Sequence, residues 1–333
     1  MQAAGEQSRS NRVVCPICEA SSSSSLLYSN MQDDRYGCPD VASIYQCVEC
    51  RHHFVSPQYD ATRIGNLYET YYGRRQIHED DVRRSARRNL RISRVIRYVL
   101  GTGNSGQFYA PTGATLLDVG SGPCQDLLEA VELGHESVGL EVDRISQELG
   151  GRLGLTVISR IDELSNADSR AFDWIQLNQV IEHAIDPSQL LVELKRSINK
   201  NGRIFIATPN VDSAFRRLFG KRWIHWHVPF HQHHFSKRSL VRLLNQNGFE
   251  IQRIFFRTPT IWTVLQFKAL TRSDLFLATP IENAGVKANR VTIRRVIDRG
   301  ENLLVWAIAC VLARVTDLLR RGDCICVIAR ATQ

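Results

Sequence analysis

Residues 116–130, LLDVGSGPCQDLLEA, join an apolar stretch to a helical pattern through an acid and two glycines. The apolar start predicts a buried strand that ends near Asp118, and the residues after Cys124 predict a helix. Gly120 and Gly122 then lie in the turn between them. Such a turn, in an open parallel sheet, forms part of a ligand site at the carboxyl edge of the strands. The stretch therefore predicts a nucleotide-like ligand at that edge.

The residues around this turn narrow the choice of ligand. A dinucleotide-binding turn follows the pattern GxGxxG, which requires glycine at the position of Gln125. Glu141, 19 residues after Gly122, ends a second predicted strand. One carboxylate near the turn can hold an ammonium group, and one on the next strand can accept from two ribose hydroxyls. S-adenosylmethionine carries both groups.

From about residue 111 onward, short apolar runs alternate with helical periodicity, which indicates an α/β protein with a parallel sheet flanked by helices. Asp186 is expected to cap one helix and Ser236 another. Residues 258–321 break the alternation and predict a loop followed by a long helix. The predicted strands lie near 115–119, 137–141, 155–158, 173–177, 203–207, 249–256 and 323–330.

Within residues 114–257 the chain resembles the class I S-adenosylmethionine-dependent methyltransferases. The resemblance is carried by LLDVGSGPC, VGLEVD, FDWIQLNQVIEHAIDP and LKRSINKNGRIFIATPN. It implies a Rossmann-like seven-stranded methyltransferase sheet, mostly parallel with an antiparallel last strand, and S-adenosyl-L-methionine as cofactor. The family pattern is an acid followed by GxGxG, so Asp118, Gly120 and Gly122 match and Cys124 replaces the third glycine. A small side chain at the start of the helix is expected to leave cofactor binding intact.

The same resemblance implies roles for further cofactor-binding residues. Glu141 would take the ribose hydroxyls, and the loop around Asp162 would lie beside adenine. Asn178 and Gln179, at the end of the fourth strand, would line the methyl-transfer site. Ordinary polar residues of a strand-to-helix loop are the alternative for this pair.

Two CxxC motifs, CPIC and CVEC, contribute Cys15, Cys18, Cys47 and Cys50 to the N-terminal part of the chain. Each CxxC turn directs two sulfurs at one ion, and four thiolates suit tetrahedral Zn²⁺. A closed four-sulfur shell leaves no open position, so the site is expected to be structural. Cys38 is a spare thiol that could replace one ligand. The motifs predict a small zinc-ribbon-like domain.

Half of the ten histidines fall within HWHVPFHQHHFS, a segment that follows the fifth predicted strand. That placement favours a histidine as general base at the methyl-transfer site, since a neutral imidazole can take a proton from an attacking hydroxyl. His231 is the first candidate and His234 the second, also by their match to family positions. A metal site and an aromatic lid are the alternatives. His183 is expected to orient the following helix.

The CPIC, YQCVECRHHFVSP and LYETYY segments resemble bacterial methyltransferases with a zinc-binding N-terminus. That resemblance implies a small-molecule acceptor, such as a sugar, a glycan precursor or a lipid-linked saccharide, with O-methylation favoured over C- or N-methylation. The competing hypothesis is an RNA or DNA methyltransferase or binding module. It rests on the zinc knuckles and on the seven arginines within residues 81–100. The simpler interpretation of those arginines is a solvated helix face with Val82, Ala86, Leu90 and Val99 turned inward, and nucleic acid is not the favoured partner.

The first residues are polar and lack the apolar core of a signal peptide, which predicts a cytoplasmic chain. The longest apolar run, residues 303–313, is shorter than the roughly 20 residues that span a bilayer. Residues 303–321 could lie on the inner membrane face as a peripheral contact, or form a buried amphipathic helix. The predicted boundaries are 1–75 for the zinc domain, 76–110 for a basic helical linker, 111–258 for the methyltransferase core, 259–321 for a helical insertion and 322–333 for the final strand.

Overall fold

The computed structural model describes residues 13–20, 24–33, 35–71, 77–102, 105–166, 171–271 and 302–332. The strands and helices of these residues are, in chain order, β1 (Ser24–Gln32), β2 (Val41–Cys47), β3 (His53–Ser56), α1 (Ala61–Thr70), α2 (Glu79–Arg91), α3 (Arg94–Leu100), β4 (Thr115–Val119), α4 (Gln125–Glu132), β5 (Glu136–Leu140), α5 (Arg144–Leu153), β6 (Val157–Ile158), β7 (Phe172–Asn178), α6 (Pro187–Arg196), β8 (Ile198–Pro209), α7 (Ala214–Phe219), β9 (His233–His234), α8 (Lys237–Gln246), β10 (Phe249–Phe256), α9 (Thr260–Thr271), α10 (Asn302–Leu318) and β11 (Cys324–Ala331).

The larger sheet has seven strands in the order β10-β11-β8-β7-β4-β5-β6. The strands from β8 to β6 pair in parallel, whereas β11 runs antiparallel to both β8 and β10. This arrangement confirms the predicted α/β fold with its antiparallel last strand. The first parallel strand, β4, lies between β7 and β5, so the turn after β4 emerges near the middle of the carboxyl edge.

The central strands are buried on both faces, as expected for a parallel sheet covered by helices. Leu117, Ile175 and Ile204 on three neighbouring strands are fully buried. The covering helices begin where the sequence predicts caps. Asp186 accepts from the backbone N–H groups of Ser188 and Gln189, and this cap starts α6.

A second sheet contains strands from two distant parts of the chain. Its order is β1-β2-β3-β9, so three N-terminal strands pair with a two-residue strand that follows β8. His53 pairs with His234, and Phe54 with His233. The N-terminal sheet is thus joined by backbone hydrogen bonds to the loop that contains the predicted general bases.

The basic segment forms α2 and α3. Val82 and Ala86 are buried as predicted, but the inward orientation of Val99 was wrong, because this side chain is 48% exposed. On α3 no residue is buried. Its apolar side chains therefore face outward beside its arginines.

The segment between β10 and β11 was predicted to begin as a loop, and this prediction was wrong for residues 260–271. They form α9, which buries Val264 and packs against α10. The predicted long helix is described only from residue 302, since residues 272–301 lie outside the described part of the chain. Among the helices of the described residues, none is long and apolar enough to cross a membrane.

Candidate active site

The glycine turn begins directly after β4 and has a left-handed backbone. Gly120 has φ +66° and Gly122 has φ +46°, a region where side chains with a Cβ are disfavoured. A Cβ on Gly120 would lie 2.6 Å from Val180 Cγ2, whereas one on Gly122 would meet nothing closer than 3.9 Å. The turn is therefore packed on the Val180 side and open above Gly122, where a ligand can approach the backbone.

Asp118 lies beneath this turn and is almost fully buried. It is opposite Gln176 in the sheet, and Gln176 Nε2 donates to Asp118 Oδ1 over 2.9 Å. The other oxygen, Oδ2, is buried without a hydrogen-bond partner. Burial raises the pKa of Asp118 well above its ordinary value, and the nearby carboxylates of Asp126 and Glu141 raise it further. A positively charged group would satisfy the free oxygen and reverse this shift.

Glu141 reaches the same turn from the end of β5. Its Oε2 accepts from the Gly122 N–H over 2.7 Å, and its Oε1 accepts from the Asp143 N–H over 2.8 Å. Each carboxylate oxygen has two lone pairs, so both can still accept a hydroxyl group. Asp118 and Glu141 therefore flank one glycine turn, from below and from the neighbouring strand.

Cys124 takes the left-handed conformation, with φ +58°, at the position of the third family glycine. Its side chain is fully buried, and Cys124 Sγ would lie 3.2 Å from a Cβ on Gly150. Burial raises the pKa of Cys124 to about 11, so the thiol is protonated at neutral pH. The residue packs the turn against α5 in a backbone conformation that glycine would adopt more easily.

The remaining predicted cofactor residues have different surroundings. Asn178 Nδ2 donates to Asp126 Oδ2 over 2.8 Å and to Ser105 Oγ over 3.1 Å. Gln179, with φ +59°, turns its side chain back toward the backbone of β8. Asp162 is exposed and forms an ion pair with Arg160 at 2.9 Å, which lowers its pKa. Asn178 thus lies beside Asp126 in the first turn of α4, whereas Asp162 lies in the solvent-exposed turn after β6.

The two candidate bases lie in different environments. His231 Nδ1 is 2.9 Å from the backbone oxygen of His225, and its ring is 4.5 Å from the ring of His183. His234 lies in β9, the edge strand of the N-terminal sheet, with Nε2 2.9 Å from the Trp226 oxygen. Burial lowers the pKa of both histidines, to about 4 for His234. Both imidazoles are therefore neutral at physiological pH.

Two residues that the sequence did not single out as reactive lie beside His231. Glu182 is fully buried, with Oε2 accepting from Thr208 Oγ1 over 2.9 Å and Oε1 without a hydrogen-bond partner. Burial raises the pKa of Glu182 to about 8. His183 Nδ1 lies 2.7 Å from the Tyr68 hydroxyl and 3.0 Å from the Phe230 oxygen. Glu182 and His183 are adjacent in the sequence, but no pattern in the sequence indicated that His231 would lie beside them.

The four CxxC cysteines meet at one point of the N-terminal domain. Their sulfurs all lie within 4.8 Å of one another, with Cys15 and Cys50 at 3.6 Å and Cys18 and Cys47 at 3.5 Å. Tetrahedral Zn²⁺ with bonds of about 2.3 Å separates its sulfur ligands by about 3.8 Å. The donor set and spacing therefore fit a zinc ion. Cys38 is buried in a different apolar cluster.

The seven-stranded sheet with its antiparallel last strand is that of the methyltransferase fold, and comparison with known proteins gives the family. A family model described as a methyltransferase domain matches residues 85–254, just over half of the chain. The chain belongs to this family and contains a class I S-adenosylmethionine-dependent methyltransferase domain.

Individual relatives are distant. An uncharacterised protein of Methanocaldococcus jannaschii is 21% identical over 113 residues, which are 34% of this chain and 55% of that protein. The chain thus spans about half the length of the curated relative that it matches.

Two solved structures have low overall similarity. One is a 1,6-didemethyltoxoflavin-N1-methyltransferase of Burkholderia thailandensis, with 13% identity, coverage of 86% of this chain and 98% of that chain, and TM-score 0.44. The other is a SAM-dependent methyltransferase from Archaeoglobus fulgidus, with 19% identity, coverage of 81% and 100%, and TM-score 0.41.

Proposed function

We propose that this enzyme transfers a methyl group from S-adenosylmethionine to an oxygen of a small molecule, with a sugar, a glycan precursor or a lipid-linked saccharide as the acceptor. The observation that carries the proposal is the pairing of Asp118, with its free buried oxygen, and Glu141 on the two sides of one glycine turn. Asp118 would hold the ammonium group of the cofactor, and Glu141 the two ribose hydroxyls. Asp162 would lie near adenine, and Asn178 and Gln179 near the transferred methyl group.

The cofactor supplies the methyl group on a sulfonium that is already strongly electrophilic, so the chain's residues mainly align the acceptor and accept its proton. His231 Nδ1 must donate to the His225 carbonyl, because a carbonyl oxygen only accepts. Its Nε2 therefore has a free lone pair that can take the proton of an attacking hydroxyl. His234 is the second candidate, with Nδ1 as its accepting atom, since its Nε2 faces the Trp226 carbonyl.

A zinc ion held by Cys15, Cys18, Cys47 and Cys50 would have a structural role in this enzyme. It would fix the segment before β1 and the turn between β2 and β3 of the N-terminal sheet. That sheet supports the acceptor side of the core through β9, and α1 contributes Tyr68 next to His183. Zinc would thus maintain the shape of the acceptor site without touching the substrate.

A lipid-linked acceptor is supported by an exposed apolar surface formed by α3 and α10. On α10, Leu304, Ile308, Val311, Val315 and Leu318 form a single stripe at helical spacing, with Leu304 70% and Val311 61% exposed. The Cys310 thiol donates to the Val99 carbonyl over 2.6 Å, which places this helix directly beside α3. Together the two helices provide a surface that can rest on a bilayer.

A basic groove adjoins this surface. It runs between α3, β10 and the end of α10, and its lining includes Arg94, Arg253, Arg257 and Arg320. One acid, Asp317, also lines the groove, and its carboxylate pairs with Arg314. An anionic phosphate followed by an apolar chain complements this combination of arginines and exposed leucines. We therefore propose an anionic membrane surface as a peripheral contact of the enzyme.

The assignment of the acceptor is tested with purified enzyme, S-adenosylmethionine and a panel of nucleotide sugars, glycolipids and RNA, followed by product mass. A mass increase of one methyl group in a sugar or glycolipid is expected. Methylation of RNA alone would transfer the assignment to the nucleic-acid hypothesis. S-adenosylmethionine binding that persists unchanged in Asp118→Ala and Glu141→Ala would contradict the proposed cofactor site.

Membrane contact is tested by flotation with anionic vesicles. Leu304→Ser combined with Val311→Ser should reduce the floated fraction. Leu218→Ser removes an exposed leucine on α7, away from the stripe, and should float like the original protein. Equal flotation of all three proteins, or flotation of none, would remove the membrane contact from the proposal.

A further inference from the structure

The segment after β7 and the loop after β8 bring three metal-ligating side chains to one point. Glu182, His183 and His231 each offer a ligand atom, and these atoms all lie within 4.8 Å of one another. Glu182 and His231 are buried, while His183 is half-buried. The separation of 48 residues between His183 and His231 makes this a product of the fold.

Hydrogen bonds around the cluster leave the ligand atoms available. The Nδ1 atoms of His183 and His231 face the backbone carbonyls of Phe230 and His225, at 3.0 Å and 2.9 Å. Because a carbonyl cannot donate, His231 carries its hydrogen on Nδ1 and has a free lone pair on Nε2. His183 has the same tautomer when its Nδ1 donates to the Phe230 carbonyl, with the Tyr68 hydroxyl 2.7 Å away as a second acceptor. Metal-bound histidines in proteins are usually held in this way, by donation of the other ring N–H to a carbonyl or a carboxylate.

The carboxylate of Glu182 is likewise held through one atom and leaves the other without a partner. Thr208 Oγ1 donates to Glu182 Oε2 over 2.9 Å, and Oε1 is buried without a hydrogen-bond partner. The charged form of this buried carboxyl group lacks the positive partner that burial of a charge requires, and a cation would supply it. The Gln232 N–H donates to the Glu182 carbonyl over 2.9 Å, which fixes the loop before β9 on the Glu182 segment.

We propose that Glu182, His183 and His231 bind a divalent first-row cation such as Mn²⁺, Co²⁺ or Zn²⁺ at the acceptor side of the active site. One carboxylate and two imidazoles suit these ions. Three protein ligands leave about three positions of an octahedral ion open. These positions fit two neighbouring oxygen atoms, such as those of a sugar diol.

The location supports contact with the acceptor. Val180, two residues before Glu182, packs against Gly120 of the glycine turn, so the cluster and the turn share one edge of the sheet. The role of the ion in holding an acceptor diol rests on the proposed function, whereas the binding of the ion does not. A lone pair on His231 that binds a cation cannot also take a proton. With the ion bound, His231 is a metal ligand, and the role of general base passes to His234, the second candidate.

The test uses the full-length, zinc-loaded protein, titrated with Mn²⁺ and followed by electron paramagnetic resonance of free Mn²⁺. Mn²⁺ prefers oxygen and nitrogen ligands to thiolates, so the four-cysteine site does not compete. One bound Mn²⁺ per chain is expected, with Glu182→Gln weakening binding at least tenfold. Glu129→Gln changes another buried glutamate, bonded to Asn89 and Gln107, and should bind as the original protein does.

The same measurement with Co²⁺ and a second variant, His231→Gln, guards against a variant that misfolds. Unchanged S-adenosylmethionine binding by Glu182→Gln shows that its fold is intact. Failure of the original protein to bind either ion, or equal binding by Glu182→Gln, overturns the inference. Ion binding without S-adenosylmethionine binding would instead overturn the proposed function and leave the cation site in place.

Discussion

The Gly122 N–H donates to Glu141 Oε2 over 2.7 Å, so the acid that directly follows β5 holds the glycine turn that follows β4. One side chain thus combines two tasks in the proposed site. It fixes the turn over which the methionine part of the cofactor would lie, and it offers the remaining lone pairs to the ribose.

This double role predicts different ligand profiles for the two acids. Glu141→Gln should weaken both S-adenosylhomocysteine and adenosine by tenfold or more. Both ligands contain the ribose, and the amide has one accepting oxygen, so either the Gly122 N–H or the Asp143 N–H loses its acceptor. Asp118→Asn should weaken S-adenosylhomocysteine but not adenosine, which has no ammonium group. Isothermal titration with the two ligands checks this pattern. Glu148→Ala, at an exposed ion pair on α5, is the matched control. Identical profiles for both acid variants would argue against the assignment.

The left-handed conformation of Cys124 predicts that the Cys124→Gly variant is more stable than the Cys124→Ala variant. Its left-handed backbone costs a non-glycine residue about 1–2 kcal/mol, and its thiol fills a space against α5. Cys124→Ala retains the backbone cost and empties the space, whereas Cys124→Gly loses the thiol but relieves the backbone. We expect the melting temperature of the glycine variant to exceed that of the alanine variant. At an ordinary helical position the order is the opposite, and observing that ordinary order here would disprove the account.

The histidines predict a stability that falls in acid. Burial lowers the pKa of His183, His233 and His234 from 6.5 to about 4, and that of His53 to about 3. Four more histidines around β9 shift in the same direction. Below pH 6.5 the unfolded chain therefore binds more protons than the folded one. The free energy of unfolding decreases as the pH is lowered. Each histidine contributes about 1.4 kcal/mol per pH unit within its window.

Buried acids act in the opposite direction, but they are fewer. Burial raises the pKa of Glu182 to about 8 and the pKa values of Glu129 and Asp323 to about 7. The contribution of these acids to the free energy of unfolding therefore decreases as the pH rises to those values. We expect maximal stability near pH 6.5 to 7, with a steeper loss on the acid side. Thermal unfolding from pH 4.5 to 8.5 measures this profile. The exposed His78 serves as control, since His78→Gln should give the same curve. A flat curve between pH 5 and 6.5 would contradict the burial of these rings.

Zinc should be removable only with loss of the N-terminal sheet. Cys47→Ser is expected to reduce the zinc content by one ion per chain and to expose α1 and β1 to proteolysis. Cys38→Ser should retain the ion, because Cys38 packs in another cluster. Metal content by mass spectrometry, together with limited proteolysis, distinguishes these outcomes. Full zinc occupancy in Cys47→Ser would rule out the four-cysteine shell.

The sequence allowed the main sheet to be predicted because its signals are local. An acid, two glycines and a capped helix such as that at Asp186 depend on neighbours within a few residues. The start of β8 was less visible. Residue 198 already pairs with Phe172, and the pairing is irregular before Arg203, so the strand begins about five residues before its apolar run. Pairing between strands overrides the preference of a polar turn sequence.

The candidate site could be predicted only in part. Asp118 and Glu141 follow from strand ends, which are readable in a linear pattern. Glu182 meets His231 only because the loop after β8 returns across the sheet edge, and no periodicity encodes that path. The helix α9 was missed for a related reason, since its buried threonines and glutamine disguise a core-facing helix.

The pairing of His53 with His234 means that the N-terminal sheet takes its last strand, β9, from the methyltransferase part of the chain. Removal of the N-terminal domain would leave the core with a bare strand edge and several uncovered aromatic rings. The two parts should therefore melt in a single transition, and a shortened enzyme should aggregate during expression. Exchanging this domain for that of a relative would require transplanting the matching β9 segment with it.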